Sequence, residues 1–111
     1  MALFRVGALR HGALDAAAAF HSDVLPKVRE SLGAQAEGFV LLFEPAAHEH
    51  RAWRLAMVQQ LARDHAPHRV NAIESDNEVA IAAAHAYLAG AEGVTGQYMP
   101  LDSAGAGEVL D

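Results

Sequence analysis

The chain's 111 residues suit one compact domain, and a hydrophobic fraction of 52% supplies a core, much of it alanine that buries little area per residue. With 14 acidic residues against 8 basic ones, the net charge of −6 argues against a broad phosphate-binding surface and so against a nucleic-acid partner. Without cysteine there is neither disulfide nor thiolate chemistry; Arg5, Arg10 and His11 spoil the first apolar run as a secretory signal, and no apolar stretch approaches the ~20 residues of a membrane span, so the cytoplasm is the expected location.

Residues 2–9 read as a short strand with Phe4, Val6 and Ala8 on one face, weakened by Gly7. Residues 13–32 read as a helix, because Leu14, Ala17, Ala18, His21, Leu25, Val28 and Leu32 recur at helical spacing and Gly33 is a natural stop. Pro26 lies inside it and predicts a kink or a lost hydrogen bond. Residues 39–43, Phe-Val-Leu-Leu-Phe, are apolar on both faces, as a buried parallel strand is. After Pro45 a second helix is expected over 47–66, closed by Pro67. Leu55, Val58 and Ala62 line one side of it and Trp53, Met57 and Leu61 another, an apolar surface wide enough for contact on two sides.

Arg69–Ile73 predicts the next strand. Ser75 and Glu78 have the spacing of a capping box, opening a helix to about Ala89 with Val79, Ala82, Ala83, Ala86 and Tyr87 expected inside. Gly90 and Gly93 end it, 97–101 is the last strand, and the tail from about 103 is expected to be mobile. Strand–helix–strand–helix–strand, joined by right-handed crossovers, predicts an α/β fold: a small three-layer parallel sheet of three or four strands in chain order, one domain over 1–111.

Several stretches, in this order, resemble the C-terminal half of a Rossmann-type short-chain dehydrogenase/reductase. They are Leu25-Pro26, the strand Gly38–Phe43, Leu61-Ala62-Arg63-Asp64, the strand Arg69-Val70-Asn71-Ala72-Ile73, the glutamate-led helix at Glu78, and Thr95-Gly96-Gln97 before the final strand. The resemblance runs from about Leu14 to Asp102 and implies a truncated Rossmann-like domain.

It also implies what is lost. The family's Gly-rich nucleotide-binding turn and its Asn-Asn-Ala-Gly strand end have no counterpart in the chain. The catalytic asparagine falls at Ala13, the serine at Glu44 or Pro45, the tyrosine at Ala47 and the lysine at Arg51. Carbonyl reduction in that family needs a phenol that delivers a proton and a lysine that favours its ionisation; alanine does neither, and arginine stays protonated. No cofactor and no catalytic residue are therefore expected, and whether the chain is an enzyme stays open: the expectation is that it is not one alone. Tyr87 and Tyr98 fall where the family packs its last helix and strand.

Seven histidines invite a metal reading, with His48 and His50 the candidates. Two positions apart on a helix, they point to different sides, and solvated polar residues at a helix start are the commoner explanation. His21 and His85 read as core or interface histidines with one hydrogen bond each. Glu44 and Glu49 form an acid–base pair only if they leave solvent, and a solvated surface pair is the better reading.

Three functions remain. The first is a degenerate, non-catalytic family member acting by self-association, as a homodimer or higher homo-oligomer, or by association with a full-length relative. Its interface is expected on the two long helices at Leu25, Val28, Trp53, Met57 and Leu61, and residues 2–9 or another chain must cover the apolar edge at 39–43. The second is a non-autonomous oxidoreductase subunit whose NAD(P) site and catalytic residues come from a partner. The third is a small-ligand or metal-binding module in the vacated cleft, where Glu44, His48, His50, Arg51 and Asn71 would cluster at the strand C-termini.

Overall fold

The computed structural model describes residues 1–33, 37–102 and 105–106. Its centre is a sheet in which strand order follows chain order: β1 (Ala2–Gly7), β2 (Gly38–Phe43), β3 (Arg69–Glu74), β4 (Tyr98–Asp102) and β5 (Gly105–Ala106). The first four are parallel, as expected, and β5 adds two residues antiparallel to β4. Apart from Gly105 and Ala106, the tail expected to be mobile from about 103 lies outside the described residues.

All six residues of β2 are buried, because a strand inside a parallel sheet has no solvent face. Phe39, Leu41 and Phe43 project to one side and Val40 and Leu42 to the other. On the first side lie the helical run 13–33 and α3 (Arg51–Asp64); on the second lies α4 (Glu78–Gly90) with Ile81, Ala84 and Leu88. The strands step in one direction throughout, yet the third crossover passes over the opposite face from the first two. Its hand is therefore opposite to theirs, which overturns the expectation of uniformly right-handed crossovers. The physical gain is that the Val40–Leu42–Ile73 face receives a helical layer of its own.

The run 13–33 consists of α1 (Ala13–Ala19), a π turn over Phe20–Val24 and α2 (Leu25–Gly33). Pro26 does not break it. The π turn lies just before the proline, where the Leu25 N–H reaches back to the Phe20 carbonyl. The turn also shifts the buried stripe to Ala16, Phe20, Val28 and Leu32, with the half-buried Val24 completing a spacing of four. On an ideal helix such spacing drifts by about 40° per step, and a wider turn takes part of that back. The expected stripe was displaced from this: Leu14 is 88% exposed and His21 lies outside, its Nδ1 donating to the Ala17 carbonyl at 2.7 Å. Phe20 is the anchor instead, with ring centroids 5.7 Å from Phe43 and 5.6 Å from Trp53. Burying such a ring is worth about 1.5–3 kcal/mol.

Two further expectations need correction. The N-cap of α4 is Asn77, whose Oδ1 accepts from the Val79 and Ala80 N–H groups at 3.0 Å each; Ser75 Oγ accepts from the Asn77 N–H. Glu78 does not reach back but forms an exposed bidentate pair with Arg5, at 3.2 and 2.8 Å. The inner face of α4 is Ala80, Ile81, Ala84 and Leu88, while Val79, Ala82, Ala83, Ala86 and Tyr87 face outward.

At the sheet's two ends the strands differ. β1 covers β2, as foreseen for residues 2–9, with a register irregularity at Gly7 (φ 81°) that leaves Ala8 outside the strand. Its own far edge is unpaired among the described residues. At the other end, the loop before β4 is tied to β3: Asn71 Nδ2 donates to the Val94 carbonyl and Oδ1 accepts from the Gln97 N–H, both at 3.0 Å. Gly96, at φ 75°, supplies the positive backbone angle expected of it.

Candidate functional site: the cleft at the strand C-termini

In a parallel α/β layer the strand C-termini are where loops separate and ligands enter. Here Gly7–His11, leaving β1, and Glu44–Ala47, leaving β2, part to form a cleft of about 340 Å³, with His50 and Arg54 in its wall. A turn of 3-10 helix, His48–His50, leads into α3, and no side chain caps this helix start. The His50 and Arg51 N–H groups close the turn on the Ala47 and His48 carbonyls.

His50, almost fully buried, joins the two sides of the cleft. The Trp53 indole N–H donates to its Nδ1 at 3.2 Å, so Nδ1 is the bare nitrogen. Nε2 then carries the proton and donates to the His11 carbonyl at 2.8 Å. Both nitrogens are occupied, which leaves this imidazole no lone pair for a metal while the latch stands. His48 is exposed, and among the described residues no group of three or more His, Cys, Asp or Glu stands together to hold an ion.

Arg54 lies under the cleft at 3% exposure. Its Nη1 donates to the Glu44 carbonyl at 3.1 Å, to Glu74 Oε1 at 3.2 Å and to the Tyr98 hydroxyl at 3.2 Å. The Tyr98 hydroxyl donates in turn to Glu74 Oε1. The guanidinium also stacks over Phe43, 4.5 Å from the ring centroid. Neither Nε nor Nη2 finds an acceptor among the described residues. Burial, and then the bond to Glu74, push the Tyr98 phenol well above its ordinary range, partly offset by Arg54. A proton-delivering phenol needs the opposite shift.

The residues singled out from the sequence separate on this frame. Glu44, Pro45 and Ala47 line the cleft; Ala13 begins α1; Arg51 begins α3 outside the cleft lining, half-buried, its Nε without a partner among the described residues. Asn71 does not join them, since its amide is fully used on the 94–97 loop, and His48 points into solvent rather than lining the cleft. Glu44 and Glu49 are both exposed. Tyr87 lies on the outer face of α4. His85 is half-buried and donates through Nε2 to the Met1 carbonyl at 2.6 Å. Of the five expected interface residues, Val28, Met57 and Leu61 are buried in the chain's own core, and Leu25 and Trp53 pack partly against it. The wide apolar surface of the second helix is therefore used within one chain, by the helical run 13–33 and the sheet.

Sequence reasoning missed the Arg54–Glu74–Tyr98 cluster. The available signals were an arginine within an apolar helical face and a glutamate closing an apolar strand. Both are costly to bury unpaired, and together they pointed to each other.

A family model described as short chain dehydrogenase-like protein matches residues 4–101. No curated protein and no solved structure matches the chain.

Proposed function

The chain belongs to the short chain dehydrogenase-like family, and we propose that within it this protein is a non-catalytic, cytoplasmic member that acts by self-association. The observation that carries the reading is the outward face of α4. Val79 is 78% and Tyr87 60% exposed, with Ala82, Ala83 and Ala86 between them, and among the described residues no charged side chain interrupts the face. Such a stripe is unusual on a soluble monomer.

The stripe is symmetric about Ala83, four residues from each of its large ends. An antiparallel two-fold contact centred there sets Tyr87 of each copy against Val79 of the other, with alanines at the crossing to let the helices approach. The five residues first expected at an interface on the two long helices are wholly or partly buried within the chain, so we place the contact on the outer face of α4 instead. The cleft supports the non-catalytic part: Ala47 and Glu44 line it, and of the two tyrosines one is locked under it and the other is on the far layer.

Sedimentation velocity over a concentration series tests the association. The wild type is expected to dissociate only on dilution, and Ala83→Glu, at an exposed site, to be a folded monomer at every concentration. A monomeric wild type, or an unaltered Ala83→Glu assembly, defeats the reading. Saturable quenching of a nicotinamide nucleotide's fluorescence by the pure protein would instead favour an oxidoreductase role, alone or with a partner subunit.

A further inference from the structure

We propose that the cleft between Gly7–His11 and Glu44–Ala47 is a binding site for a small carboxylate, held by the Arg54 guanidinium and the uncapped N-terminus of α3. Three observations converge on this chemistry. The cleft is of small-molecule size, about 340 Å³. Arg54, nearly all buried, stands in its wall with Nη1 overcommitted to three acceptors and with Nε and Nη2 without one among the described residues. Nε is sealed off, so Nη2 is the donor left for one oxygen of a carboxylate, with the guanidinium charge behind it. Ala47 and His50, at either end of the 3-10 turn that starts the 14-residue α3, line the same space and bring the positive end of the helix dipole to it.

The rest of the lining sets the ligand's size and charge. Ala8, Leu9, Pro45 and Ala46 give a short apolar wall, which suits a two- or three-carbon acid. Exposed Arg10 at the rim adds positive charge, and exposed Glu44 opposes it. Glu74 neutralises part of Arg54 from below, so the site is not a strong general anion trap. A carboxylate alone engages the guanidinium and the helix start. A carboxylate that also carries an ammonium group, as an amino acid does, has Glu44 as a counter-charge. Both sources share the carboxylate.

This goes beyond the association proposal and stands or falls separately from it, because the cleft and the outer face of α4 are on different parts of the molecule. The test is a titration of the full chain with sodium acetate and with glycine, followed by amide nitrogen–proton spectra against a sodium chloride control. Saturating shifts are expected at the amides of 7–11 and 47–50 with one or both ligands; tighter glycine assigns the amino-acid source and tighter acetate the simple acid. Arg54→Gln is expected to weaken binding by about tenfold or more, the effect of losing a charge-assisted contact. Arg10→Ser, at an exposed position that leaves the fold alone, is expected to weaken it by about twofold to fivefold. Shifts that stay linear with both ligands, that chloride reproduces, or that saturate equally in wild type and Arg10→Ser overturn the proposal, even if Arg54→Gln fails to fold.

Discussion

Arg54 and Arg69 lie at opposite ends of the sheet and each makes three hydrogen bonds, yet they hold the fold in different ways. Arg69, at the start of β3, donates to the carbonyls of Leu88, Ala91 and Ala89 at 2.8, 2.5 and 3.2 Å. It is half-exposed, its acceptors are neutral, and its charge faces the negative end of the α4 dipole. Arg54, beneath the cleft, is buried with the carboxylate of Glu74 and leaves donors unused. The number of bonds is therefore a poor guide to what each residue is for. At the N-terminal end of the strands a cation clips a helix and water can take its place. At the C-terminal end a cation is kept out of water beside a cleft, an arrangement costly for structure alone and suited to a ligand.

The largest expected effect is at Arg54. Arg54→Met strands the Glu74 carboxylate in the core, so urea unfolding should show a loss of about 3–5 kcal/mol. The double variant Arg54→Met/Glu74→Met should recover most of it. A loss under about 1 kcal/mol in the single variant would remove the contrast with Arg69. Arg69→Ala comes next: water reaches the freed carbonyls, so the cost should be about 1–2 kcal/mol by the same measurement. The smallest change at neutral pH is Tyr98→Phe, about 1 kcal/mol.

Tyr98 has a further signature at alkaline pH. Its phenol is raised in the fold above its unfolded value of 10.0. The folded state therefore holds the proton more tightly, and the stabilisation is complete below pH 10 and declines as pH rises beyond it. Ultraviolet titration should show this phenol ionising only as the protein unfolds, and Tyr98→Phe should lack that late step.

Much of the frame was legible in the sequence because it depends on short-range pattern. Phe39 to Phe43 is apolar on both faces, short and closed by Pro45, as an inner parallel strand is, and the three later strands follow in order. The helix faces were less legible. In α4, Val79 to Gly90 is apolar nearly all round, so periodicity does not choose between Ala80–Ile81–Ala84–Leu88 and Val79–Ala82–Ala83–Ala86. In the run 13–33, four-residue spacing conceals the buried stripe until a π turn is supplied, and no local signal marked Phe20 as its anchor. Ser75 and Asn77 are both capping residues, and the one adjacent to the first helical residue prevailed. The candidate site was half legible. Glu44, Ala47 and His50 are placed by one loop and helix start, but the Arg54 cluster needs α3, β3 and β4 side by side, which is tertiary information.

The latch described at His50 has an optical consequence. Trp53 is the chain's one tryptophan, and its indole N–H ends on the imidazole that holds the His11 carbonyl. Any displacement of the 7–11 loop changes the polarity around that ring. Intrinsic emission therefore watches the entrance of the cleft from the inside, and the protein carries a label-free reporter of its own doorway.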